Sequence, residues 1–268
     1  MAATFTRRQA LLLGGAAALG GALTLGGTGV ASGATPWVRL PVVTANIGRD
    51  NLGAREAAIR DVRNADGTRP LVGWQEIREG DDGEPAMITK HFGGAYQNAF
   101  LFHDTSFRVP ISVPEPWNVI ARNTSLAHGG IAGISPPRWL NELVLQHQSY
   151  PALTFAMLNT HYIFNAYNGD QNPNLRDEWD ALKRLHRERV MAHYQTGRTV
   201  IWTADTNRPD YDKATGQDAE RRAFTTGIDR IDWLPGNGVQ VDLLNTKVVP
   251  MHVDGHDARV AIFNIRAV

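Results

Sequence analysis

The sequence predicts an α/β fold in which sheets pack face to face beneath helices. Three observations carry that expectation. Short apolar segments of strand length alternate irregularly with helical stretches, and the C-terminal half is rich in strands. The chain has 268 residues, 43% of them apolar and 20% charged, which is the composition of a folded globular protein and not of a disordered one. No internal repeat or low-complexity linker divides it, so one large domain suits its length.

Residues 1–34 stand apart from that domain as an expected export signal. They carry Arg7 and Arg8 and no acid. A run of Ala, Leu and Gly follows from Ala10 to Val30, and Ala31-Ser32-Gly33-Ala34 offers small residues for cleavage. Thr6-Arg7-Arg8-Gln9-Ala10-Leu11-Leu12 resembles a twin-arginine signal, with Ala10 and Leu11 where a Phe is usual. Seven glycines dilute the run, which disfavours a retained membrane anchor. The mature chain, residues 35–268, is expected to be secreted or extracytoplasmic. Loss of Arg7 and Arg8 leaves 25 basic against 27 acidic residues, a net charge of about −2.

The absence of cysteine excludes a disulfide framework, a thiolate zinc site and a thiol nucleophile. It also agrees with export of a protein already folded. A formal charge of zero for the whole chain excludes a broad basic footprint for nucleic acid or anionic membrane, though not a local one.

The expected elements follow in order. Val38–Ala45 alternates as a strand, 54–65 has helical composition, and Leu71–Ile77 is a short buried strand. Residues 117–121, 140–146 and 153–160 are successive strands, the last two separated by the turn Ser149-Tyr150-Pro151. Residues 176–194 form the clearest helix, because Trp179, Leu182, Leu185, Val190 and Tyr194 recur on one stripe. His186 and His193 on that helix are expected at its surface or boundary. Strands are expected again at 198–203, 228–234, 239–244 and 258–265. The polar stretches 78–86, 103–116, 163–175 and 205–220 are expected as loops, and loops of that length are often functional.

Function enters through the residues that end these strands. One strand ends in Asn46, the next in Gln75-Glu76, a third in Asn159-Thr160-His161, a fourth in Asp205-Thr206-Asn207, and His256 precedes the last. Such ends converge on one cleft if they share an edge of a sandwich. Oxygen donors at Asn46 and Glu76 suit a hard cation such as Mg²⁺, Mn²⁺ or Ca²⁺. Two imidazoles with an Asp/Asn pair suit phosphoryl chemistry, in which His exchanges protons near neutral pH and a metal neutralises charge on phosphate.

The order Thr44-Ala45-Asn46, Gln75-Glu76, Asn159-Thr160-His161, Ala204-Asp205-Thr206-Asn207, Ile228-Asp229-Arg230-Ile231 and Gly255-His256 resembles the endonuclease/exonuclease/phosphatase superfamily, the group of deoxyribonuclease I. The resemblance covers residues 38–268. It implies a four-layer α/β sandwich of two packed, mainly antiparallel sheets flanked by helices. It further implies Glu76 as main metal ligand with Asn46 beside it, and His161 on the scissile phosphate. Asp205 and Asn207 fall at the attacking water and phosphate, and His256 is general base or acid, oriented by Asp229. Three departures stand out. Gly255 occupies the place of an Asp usual before the C-terminal His, with Asp254 and Asp257 flanking it. Ala204 replaces a Gly. Asp232 is an alternative to Asp229 as partner of His256.

These readings make the protein a secreted, divalent-metal-dependent phosphodiesterase of endonuclease-like type, working as a monomer with no obligate protein partner. DNA or RNA is the expected substrate, with a phospholipid or sphingomyelin headgroup, or a phosphatase substrate, as alternatives on the same fold. A weakened family member that only binds is a further alternative, on the strength of Gly255. Arg49, Arg55, Arg78, Arg122 and Arg138 are candidate phosphate contacts. Phe100-Leu101-Phe102 and residues 163–167 are the apolar segments a lipid-acting enzyme would expose.

Overall fold

The layering follows from alternation along the first strand. In the computed structural model, which describes residues 33–48, 53–78, 83–167, 173–253 and 256–268, β1 (Val38–Asn46) sends Leu40 and Val42 into one apolar cluster and Val43 and Ala45 into another. A strand with apolar residues on both faces must lie between two layers. The expected export segment falls outside the described residues apart from Gly33 and Ala34. Residues 33–268 form a compact unit of their own.

Two six-stranded sheets result. The first has the order β11 (Val239–Val253), β12 (His256–Ala267), β1, β2 (Leu71–Gln75), β4 (Ile111–Pro114), β3 (Tyr96–Ala99). The second has the order β5 (Trp117–His128), β6 (Arg138–His147), β7 (Thr154–His161), β8 (Val200–Asp205), β10 (Asp229–Leu234), β9 (Arg221–Arg222). Their facing sides bury Trp117, Phe155, Met157, Ile201, Trp233 and Phe263. Each such side chain contributes roughly 1.5–3 kcal/mol of transfer free energy. Outside the first sheet, α1 (Arg55–Arg63) and α2 (Glu84–His91) pack Ile59, Val62 and Ile88 on Val72 and Trp74. Outside the second, α3 (Pro173–Gln195) packs Trp179, Leu182 and Val190 on Leu158 and Trp202. The chain is thus the expected four-layer sandwich.

All strand pairs are antiparallel except β1–β2 and β7–β8. Those two parallel pairs position the site. Each is bridged by a helix, so both members end at the same edge of their sheet. Asn46 lies in register with Gln75, and His161 with Asp205. β10 returns antiparallel to β8 and begins where β8 ends, with Asp229 opposite Asp205.

Several local expectations are corrected. The polar stretch 103–116 contains β4, and α2 and α3 begin inside the stretches 78–86 and 163–175. β5 and β11 run to His128 and Val253, well past the expected ends. Both are edge strands held by their backbone ladders with β6 and β12; the later residues of β5 are largely polar, and Asn245-Thr246-Lys247 interrupts the apolar pattern of β11. His186 is not a boundary residue. It is 1% exposed, and its Nδ1 lies 2.9 Å from the Tyr162 hydroxyl. Burial, helped by Arg230, pushes that imidazole down to about 3, so it is neutral. His193 contacts Glu142 at 3.2 Å.

Candidate active site

The two sheets approach closely where β2 carries Gly73. A Cβ there would lie 1.9 Å from Thr203 Oγ1 and 2.7 Å from Asn159 Oδ1. Glycine therefore admits a polar bridge between the layers. Asn159 Nδ2 donates to the carbonyls of Trp74 (2.7 Å) and Pro110 (3.0 Å), and Asn159 Oδ1 accepts from Gln75 Nε2 (2.6 Å) and Thr203 Oγ1 (2.9 Å). That uses the full hydrogen-bonding capacity of a buried amide. The bridge sits one step below the strand ends and fixes them relative to one another.

Above it, Asn46 donates from Nδ2 to Asp205 Oδ2 at 2.8 Å, while its Oδ1 accepts from Gly48 N at 2.8 Å. Glu76, the first residue past β2, has φ +61°, and Asn207, two past β8, has φ +49°. Left-handed backbone at two non-glycine residues of one site is strain held by the surroundings. The turn after Glu76 is braced by Ile77 N on Arg108 O (3.3 Å) and Arg78 N on Glu84 Oε2 (3.0 Å). Glu84 is itself paired in the interior with Arg55 at 2.9 Å.

His161 joins the two halves. Its Nε2 lies 3.7 Å from Glu76 Oε1, 3.4 Å from Asp205 Oδ2 and 3.1 Å from Asn207 Nδ2. Asn207 also donates from Nδ2 to Tyr162 O (3.0 Å) and from its backbone N to Asp205 Oδ1 (2.8 Å). On the far side His256 Nδ1 stands 3.4 Å from Asp229 Oδ2 and 4.0 Å from Asp205 Oδ2. All seven expected site residues therefore meet in one cleft.

The electrostatics are those of crowded acids. Burial, reinforced by Asp229, raises Asp205 far above the usual carboxylate range, against the pull of His256 and of the hydrogen bonds from Asn207 and Asn46. Burial works against charge on His256, but its hydrogen bond to Asp229 and the charges of Asp205, Asp229 and Glu76 outweigh it and raise the imidazole. The raised proton affinities of Asp205 and His256 therefore belong to one interacting pair.

The remaining candidates divide. Asp232 points away from the cleft and pairs with buried Arg230 at 2.5 Å, which leaves Asp229 as the acid on His256. Asp257 is exposed and accepts from Met251 N at 3.4 Å within its own hairpin. Asp254 and Gly255 lie outside the described residues, as does Arg49. Arg138 is buried against Glu178 at 2.8 Å and feels the charges of Glu76 and Asp205. Arg55 serves Glu84, and Arg122 lies on the exposed β5 edge. Sequence reasoning missed Arg259, on the inner side of β12 opposite Thr44, whose guanidinium lies 5.4 Å from the Phe224 ring centroid. It also gave no role to Gln75, Asn159 and Thr203. Period-two alternation was the available signal, since Asn159 and Thr203 must face the same way as His161 and Asp205.

A divalent cation fits these residues. Ligand atoms of Asp205, Asp229 and His256 lie within 4.8 Å of one another. Asp229 Oδ1 is buried without a hydrogen-bond partner, and Glu76 adds a carboxylate across His161. An orphaned carboxylate oxygen in a cluster with excess negative charge is what a hard cation satisfies.

No family model matches the chain, and no curated protein matches it. Solved structures do. An endonuclease/exonuclease/phosphatase from Bacteroides vulgatus superimposes with a TM-score of 0.60 at 16% identity, over 84% of this chain and 98% of that one. TDP2 from Caenorhabditis elegans, in truncated form, gives 0.59 at 17%, over 84% and 97%. The human Nocturnin catalytic domain with bound sulfate gives 0.58 at 13%, over 85% and 96%. The chain has the fold of the endonuclease/exonuclease/phosphatase proteins.

Proposed function

We propose that the protein is a divalent-metal-dependent phosphoester hydrolase of the endonuclease/exonuclease/phosphatase superfamily, acting on phosphodiesters and exported before it acts. The observation that carries this reading is the meeting of Glu76, His161, Asp205, Asn207, Asp229 and His256 in one cleft, with successive contacts of 3.4–4.0 Å across two sheets. Glu76 and Asn46 would hold the cation beside Asp205 and Asp229, and it would supply neutralisation of phosphate charge. The full set of acids, imidazoles and amides favours an enzyme over a weakened binding protein.

The chain's own groups divide the proton work. His161 and the Asn207 amide are placed to hold phosphate oxygens. Asp205, with its raised proton affinity, takes the proton of an attacking water. His256, kept protonated by Asp229, gives a proton to the leaving oxygen, so its role is acid and not base. Thr35 supports cleavage near residue 34. Its N donates to Ala267 O at 3.1 Å, which ties the first residue of the expected mature chain to β12.

The test uses the mature chain, bis-p-nitrophenyl phosphate and Mg²⁺, Mn²⁺ or Ca²⁺. Hydrolysis is expected and should disappear with EDTA, with Glu76→Ala and with His256→Ala. Activity that survives all three defeats the mechanism. Cell fractionation of a producing strain tests export, with an Arg7→Lys/Arg8→Lys variant expected to stay inside.

A further inference from the structure

The apolar run Phe100-Leu101-Phe102 is divided by the fold. Phe100 and Leu101 are buried, and Phe102 is 74% exposed. A φ of +66° at Phe100 turns the chain outward there. Phe102 forms one wall of a groove of about 560 Å³ on the flank of the sandwich, where the edge strands β3 and β5 face each other.

The groove has a one-sided chemistry. Its lining residues include Arg122 and His103 and no acidic residue. Asp104 is exposed beside His103 without lining it. Among the described residues Arg122 has no acidic partner. His103 is held in one tautomer. Its Nδ1 accepts from Thr105 N and Ser106 N, both at 3.3 Å, so its proton lies on Nε2 and is available to an acceptor. Thr124 Oγ1, also in the lining, is buried without a partner.

One chain segment runs from the groove toward the strand end that carries Glu76. The chain that begins at Phe102 and His103 ends with Arg108 O accepting from Ile77 N, next to Glu76. Asn141 Nδ2 fixes that segment through the carbonyls of Ser106 (3.0 Å) and Val109 (2.9 Å). An exposed aromatic face beside a free guanidinium is how proteins hold a flat base next to an anionic phosphate. A lipid surface requires a contiguous apolar patch, and the groove surrounds Phe102 with polar groups.

We propose that this groove binds a nucleotide of the substrate strand beyond the scissile phosphate, with a base stacked on Phe102 and a phosphate on Arg122 and His103 Nε2–H. This rests on the phosphodiesterase reading and narrows its substrate to a single-stranded nucleic acid segment. The test separates the two. Anisotropy of a fluorescein-labelled oligothymidylate is measured in EDTA, so that nothing is cleaved, and hydrolysis of bis-p-nitrophenyl phosphate is measured with metal. Phe102→Ala should weaken oligonucleotide binding about fivefold or more, and Phe102→Trp should restore it. Arg122→Ala should weaken binding and lower the slope of log affinity against log salt by about one. Both variants should hydrolyse the small diester within about twofold of the parent. Unchanged binding in both variants overturns the proposal. So does a parent that binds no oligonucleotide, or a Phe102→Ala change that weakens binding to phosphatidylcholine vesicles alone. A parent inert toward the small diester defeats the phosphodiesterase reading, while the anisotropy still decides the groove.

Discussion

The inner faces of the same strands are built in two contrasting halves. Along β1, Leu40 and Val42 give way to Thr44 and Asn46. Along β7, Phe155 and Met157 give way to Asn159 and His161, and along β8 Ile201 gives way to Thr203 and Asp205. β10 runs the other way and begins with Asp229 before Ile231 and Trp233. The first half buries apolar surface, a non-directional interaction that tolerates small shifts. The second half uses directed hydrogen bonds and gathers like charges. The difference teaches where each property resides: stability lies in the apolar half, and chemistry lies in a half whose acids oppose folding.

The division is sharpest where activity and stability are measured on the same variants. His256→Ala should lower kcat by roughly 10²–10⁴-fold, the usual range for a lost proton donor, and, compared above pH 9 where the imidazolium no longer offsets the acids, leave thermal stability nearly unchanged. Phe155→Ala should do the reverse. It should cost roughly 3–5 kcal/mol of unfolding free energy, read by denaturant titration, with kcat per folded molecule intact. A His256-like loss of kcat in Phe155→Ala would break the comparison.

Two aspartates three residues apart on β10 give a closer version of the same contrast. Asp232 faces outward and holds buried Arg230, so Asp232→Asn leaves a charge unpaired and should cost about 3–5 kcal/mol with little change in kcat. Asp229 faces the cleft. Asp229→Asn should lower kcat about 10- to 100-fold, as loss of an orienting partner does, and should shift the limb of the pH profile due to His256 toward lower pH. Equal effects on kcat would show that the face of the strand does not decide the role.

The layered fold was legible because its central strands carry their pattern in side chains. β1, β7 and β8 are apolar on both faces until their ends, and the change to polar residues at those ends marked the cleft. β5 was cut short because its later residues are largely polar, and β11 because Asn245-Thr246-Lys247 interrupts its apolar pattern. β4 was lost in a polar stretch for want of length. At the site, Asn46, Glu76, His161 and Asp205 were visible as strand terminators. Gly73 was hidden because a missing side chain leaves no signal of what it admits.

The smallest effect bears on whether the polar half opposes folding at all. Asp205 is raised from 3.8 to about 7 by burial and by Asp229. Its neutral form is therefore favoured in the folded state, so its contribution to stability is present below pH 3.8 and is lost as pH rises through about 7. His256, raised from 6.5 to about 9, contributes stability that is present below pH 6.5 and lost as pH rises through about 9. Above that value both carboxylates are charged and no cation stands between them. Asp205→Asn keeps the shape and removes one charge. In EDTA its unfolding free energy should match the parent near pH 4 and exceed it by on the order of 1 kcal/mol near pH 9, although the variant is inactive. Added Mg²⁺ should raise the parent's stability and hardly change the variant's. If Asp205→Asn is instead the less stable protein at high pH, the hydrogen bonds from Asn46 and Asn207 outweigh the buried charge. The polar half would then hold the sandwich together as the apolar half does.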